Sequence, residues 1–85
     1  MSMITRKAET QHQLRKFLLE EGWLEDSDEF VSGHTFRGDL KFTNREMDEM
    51  LFMVENEFDI LFTEEEQKSV SSIGDLVELI VKKTV

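Results

Sequence analysis

Eighty-five residues, 34% of them charged and none of them cysteine or proline, make one small domain, read as residues 1–85. The absence of cysteine excludes disulfides, thiolate metal sites and cysteine nucleophiles. A chain this short buries only about 60–65% of its unfolded surface, which leaves no room for a deep enclosed active site.

The formal charge is −9, and residues 22–66 concentrate it: fourteen acids stand against Arg37, Lys41 and Arg45. Phosphate backbones are repelled by such a middle, so nucleic acid is not expected as a partner. A basic patch on another protein is the expected one. The opening stretch MSMITRKAETQHQL has charges where a signal peptide needs its apolar run. No segment approaches the roughly 20 apolar residues of a membrane span. No membrane insertion, a cytoplasmic location and a monomeric state are the expectations.

In chain order, residues 5–21 read as a first helix. Thr5 is the expected cap, Ala8, Leu14, Phe17 and Leu18 the apolar face, and Gly22 the stop. Trp23 and Leu24 are expected to fold back over the end of the bundle. Residues 25–38 form a long loop, with Phe30, Val31 and Phe36 as its anchors. Its acids Asp26, Asp28 and Glu29 do not make a calcium loop: counting from Asp26, Phe30, Val31 and Arg37 fall where an EF-hand needs a ligand, a glycine and a glutamate.

The second helix is predicted from about Asn44 to Phe58, capped by Thr43 or Asn44, with Glu46, Asp48 and Glu49 near its positive end. Met47, Met50, Leu51, Val54 and Phe58 recur on one stripe, and Met53 flanks it. Arg45, Glu49, Phe52 and Asn56 fall roughly opposite, so an aromatic stands on the side the core does not need. Ile60 and Phe62 alternate inward through the link. Thr63 with Glu66 has the spacing of a capping box and opens a short third helix over about 64–69, with Val70 as its core contact. Ser72 with Asp75 repeats that spacing. Ile73, Leu76, Val77, Ile80 and Val81 then stripe the last helix through to Lys82, with Lys82 and Lys83 at its negative end. The expected fold is all-α: an irregular four-helix bundle of three main helices and a short helix 3, with a long loop between helices 1 and 2.

His12 and His34 lie far apart, near no clear partner, and read as surface or loop residues. No Ser/His/Asp spacing, paired-carboxylate signature, glycine-rich phosphate loop or zinc motif is present. No catalytic residue and no metal ligand is therefore assigned. The chemistry favours a binding or carrier module over an enzyme.

From Thr35 to Val81 the chain resembles the acyl carrier protein family. That family's second helix follows an aromatic and an Asp-Leu-Gly-x-Asp-Ser-Leu motif. Here the stretch reads Phe36-Arg37-Gly38-Asp39-Leu40-Lys41-Phe42-Thr43-Asn44-Arg45, followed by EMDEMLFMVENEFDI and FTEEEQKSVSSIGDLVELIVKK without a gap. The resemblance implies an acyl-carrier-like bundle. Family members carry 4′-phosphopantetheine as a phosphodiester on the motif's serine. Asn44 stands in that place, and an amide cannot form the ester. Lys41 replaces the motif's glycine, Thr43 its second aspartate and Arg45 its last leucine. No attached cofactor is therefore expected.

The resemblance also gives α-helix 2 a use: Glu46, Glu49, Phe52 and Glu55 match positions that meet partner enzymes, the acids steering towards basic patches and Phe52 anchoring. The implied role is docking or regulation in a lipid (fatty acid), polyketide or peptide synthesis pathway. Two alternatives are a working carrier modified at another hydroxyl and a bundle that binds a lipid non-covalently among its methionines.

Overall fold

The computed structural model describes residues 3–84, with side chains from Thr5 onward. The rest of the span 1–85 lies outside the described residues. Four helices follow one another: α1 Met3–Glu20, α2 Asn44–Phe58, α3 Glu64–Ser69 and α4 Ile73–Lys83. The described residues are all-helical apart from one isolated bridge, Thr35 to Ser72, so the expected all-α bundle with a short third helix and a long first loop is the observed one.

α1 starts before Thr5, which is therefore a residue of the first turns and not the cap. Leu14 and Leu18 are fully buried, but Phe17 is only half-buried, and Ala8 faces solvent although its spacing placed it on the apolar face. Thr10 takes the buried position one turn before Leu14. The helix ends at Glu20, one residue short of the expected last position, 21. Gly22 then turns left-handed at φ 82°, which a residue without Cβ adopts at little cost. Its N–H reaches the Leu19 carbonyl at 3.2 Å, and Trp23 N–H the Leu18 carbonyl at 2.9 Å. This paired closure satisfies the last carbonyls and turns Leu24 into the core.

α1 and α4 run antiparallel. Arg6 Nη2 donates to Thr84 Oγ1 at 2.9 Å and Lys7 Nζ to Glu78 Oε1 at 2.9 Å. Further along, Gln11 bonds Ser32, whose carbonyl accepts the Gly74 N–H at the opposite end of α4.

The long loop holds the start of α4. Ile73 N–H donates to the His34 carbonyl at 2.9 Å, Gly74 N–H to the Ser32 carbonyl at 2.9 Å, and Phe36 N–H to the Ser71 carbonyl at 3.0 Å. Two otherwise orphan helix donors are thus satisfied by loop carbonyls. Phe30 and Phe36 anchor the loop in the core, whereas Val31 stays 46% exposed and anchors nothing. It sits in the turn closed by His34 N–H on its own carbonyl, which aims its side chain outward. His34 does have a neighbour: its Nε2 lies 3.6 Å from Glu29 Oε2.

The α2 stripe buries Met47, Met50, Leu51 and Val54, with Phe58 partly covered at its end. All five stripe residues of α4 are buried, and the helix continues to Lys83. Both predicted capping boxes, Thr63 with Glu66 and Ser72 with Asp75, are formed. Glu66 also accepts a 2.9 Å ion pair from Lys83, which ties α3 to the last turn of α4.

Candidate functional site

The approach to α2 is a tight turn built on two side chains. Thr35 N–H donates to Asp39 Oδ2 at 2.8 Å, and Gly38 N–H to Thr35 Oγ1 at 3.0 Å. A Cβ on Gly38 would stand 2.6 Å from that hydroxyl, so the turn needs glycine there. The Thr35 N–H holds the Asp39 carboxyl below the usual aspartate value. Lys41 follows in the left-handed region at φ 64°, which costs a side-chain-bearing residue about 1–2 kcal/mol. The turn is pinned from beneath by an aromatic row: Phe42 lies 5.6 Å from Phe36 and 5.7 Å from Trp23, ring centre to ring centre.

The cap of α2 is Thr43. Its hydroxyl accepts the Glu46 N–H at 3.1 Å, and Glu46 Oε1 accepts the Thr43 N–H at 2.8 Å, a third capping box. Asn44 is the first helical residue and is exposed.

The four residues nominated for partner contact do not share one face. At about 100° per residue, Glu49 and Phe52 point away from the buried stripe, and Glu46 and Glu55 lie on its two opposite shoulders. The shoulder residues hold backbone. Glu46 closes the cap, and Glu55 Oε2 accepts the Phe62 N–H at 2.7 Å, clasping the segment that leaves the helix. Glu49 pairs with Arg45 at 3.0 Å in an open i,i+4 bridge, a contact worth only about 0.3–0.5 kcal/mol at a surface. Phe52 is 59% exposed.

One residue beside them escaped the sequence reading. Asp59 turns left-handed at φ 55° after the helix, and Ile60 N–H returns to the Glu55 carbonyl at 3.0 Å. Ile60 and Phe62 go into the core, as their alternation required. The same alternation sends Leu61 outward, 79% exposed. Phe52, Glu55, Asn56, Asp59, Ile60 and Leu61 together line a surface groove. Phe52 also borders a second, shallower hollow with Asp48, Glu49 and Met53.

Among the described residues no group of three or more His, Cys, Asp or Glu is arranged to hold a metal ion, and no helix is long and apolar enough to cross a membrane. No protein-family model matches the chain, and no curated protein matches it.

Proposed function

We propose that this chain is an acyl-carrier-like module that bears no prosthetic group on α2 and acts by docking that helix against a protein partner in a lipid, polyketide or peptide synthesis pathway. The start of α2 carries the reading. In the alignment that the resemblance sets, the exposed amide of Asn44 stands at the first helical position, in place of the motif's serine. Lys41 stands in place of its glycine and keeps a left-handed backbone at φ 64°, the conformation that glycine adopts freely. A backbone shape that favours glycine, retained under a lysine, supports descent from the motif with the attachment chemistry lost. The exposed Phe52 amid acids supports docking as the remaining activity.

Attachment at Thr43 is the main competitor. Its hydroxyl oxygen already accepts the Glu46 N–H, so esterification there would compromise the cap. Intact mass after incubation with coenzyme A and a phosphopantetheinyl transferase tests the proposal. No mass change is expected, and a gain of one phosphopantetheine would overturn the loss of attachment.

A further inference from the structure

We infer that the groove between Phe52 and Leu61 seats the apolar face of a basic amphipathic helix presented by another protein. The inference rests on α2 being the docking helix and adds a second anchor and the chemistry of the occupant. Phe52 on α2 and Leu61 on the link are large apolar side chains, 59% and 79% exposed, lining one concavity whose floor includes the buried Ile60. Two such anchors on separate elements define a direction for a ligand, which a lone exposed phenylalanine does not.

Charge selects the occupant. Residues 46–66 hold nine acidic side chains and no Lys or Arg. Among the described residues two cations from outside pair with this stretch, Arg45 with Glu49 and Lys83 with Glu66, and neither lines the groove. Glu55 and Asp59 stand in the lining of the groove itself. A second copy of the chain would bring the same nine acids against these. An anionic bilayer or a nucleic acid would meet the same repulsion. A leucine-like ridge flanked by Lys or Arg satisfies both the apolar anchors and the rim. Two of the link's backbone donors, the N–H groups of Ile60 and Phe62, are already taken by the Glu55 carbonyl and carboxylate, which disfavours an added strand there. A ligand that brings side chains is favoured, and a helix ridge presents a row of them.

The test titrates a fluorescent synthetic helix of leucine and lysine, about 14 residues long with leucines at i and i+4 spacing, into the full chain in about 0.15 M salt. Amide shifts on the labelled protein are expected at Phe52, Asn56 and Asp59–Leu61. Leu61→Ser and Phe52→Ser are each expected to weaken binding by roughly fivefold or more, the loss of one buried apolar anchor. Glu20→Gln with Glu21→Gln, which removes two acids that are not in the groove lining, is expected to leave it within about twofold. Both anchors are exposed, and the amide spectrum of each variant verifies that it is folded.

If Phe52→Ser weakens binding and Leu61→Ser does not, the groove is refuted while docking by α2 stands. If neither does, both fail. Self-association abolished by Leu61→Ser, or retention on phosphatidylglycerol vesicles that depends on Leu61, would assign the groove to another occupant and overturn the inference.

Discussion

Lys41 carries a cost that the rest of the turn offsets. Its left-handed φ of 64° is held between the Thr35–Asp39 turn and the Phe42 N–H, which reaches the Phe36 carbonyl at 2.9 Å. Lys41→Gly removes the Cβ conflict and adds freedom to the unfolded chain, and the first effect is the larger. A net gain of about 0.5–1 kcal/mol follows, or a melting temperature roughly 2–8 °C higher. Asn44→Ser restores a hydroxyl at the same place, but modification of this variant is expected to be slow. Thr43 is occupied as the cap, and Arg45 projects a cation, paired with Glu49, beside the new serine. Complete conversion of the single variant by a standard transferase, read by intact mass, would contradict this. The outward side of Phe52 was legible from its helical period, and that of Leu61 was implicit in the Ile60–Phe62 alternation. The structural duties of Glu46 and Glu55 were not equally legible. Glu46 lies three residues from Thr43 and could be read locally, but the bond from Glu55 to Phe62 crosses a left-handed turn that no periodicity announces.

At the scale of elements, the helices follow from local chemistry and the loop does not. α2 and α4 bury the stripes that their spacing marks, and the boxes at Thr63 and Ser72 start their helices where expected. The pairing of 32–36 with 71–74 joins segments some forty residues apart, and nothing in either predicts it. Gly74 is where that pairing is tightest. A Cβ there would stand 3.0 Å from the Ser32 carbonyl oxygen and 3.2 Å from Ser32 Cβ. Alanine is the better helix former by about 1 kcal/mol. The Ser32 carbonyl is backbone, however, and it is already bound to Gly74 N–H. Relief of the contact therefore lengthens the bond that seats α4. Gly74→Ala is expected to destabilise the fold by about 1 kcal/mol net, read as a lower urea midpoint with unchanged slope. An unchanged or higher midpoint would mean the loop yields freely.

Across the whole molecule, three carboxylates close a turn or a helix cap, and one of them, Glu66, also ties α3 to α4 through Lys83; all three share one electrostatic sign. Asp39, Glu66 and Asp75 each have a lowered pKa, caused first by a backbone N–H bond, from Thr35, Thr63 and Ser72 respectively. A folded-state value below the unfolded one gives stability that is present above the ordinary carboxylate range. It is lost as pH falls through the folded value. Acid also neutralises the crowded middle of the chain and relieves its repulsion. Those charges are mostly exposed and screened within about 8–10 Å in ordinary buffer, so direct bonds to the three carboxylates decide the acid limb. The thermal midpoint is expected to drop between about pH 5 and pH 3. Asp75→Asn should lower stability at neutral pH and make that drop shallower. A midpoint that climbs steadily into acid would show that repulsion dominates.

Trp23, the chain's one tryptophan, packs partly buried at the flank of α2, its indole N–H 3.3 Å from the sulfur of Met53. Met53 shares a hollow with Phe52. The molecule thus contains its own optical reporter, wired by one thioether to the surface where an occupant would settle. Met53→Leu is expected to shift the emission maximum of Trp23 without unfolding the chain, and a spectrum identical to that of the parent would show the sulfur to be a bystander. Where the shift is present, occupancy of α2 can be followed from the protein's intrinsic fluorescence, with no label attached to either partner.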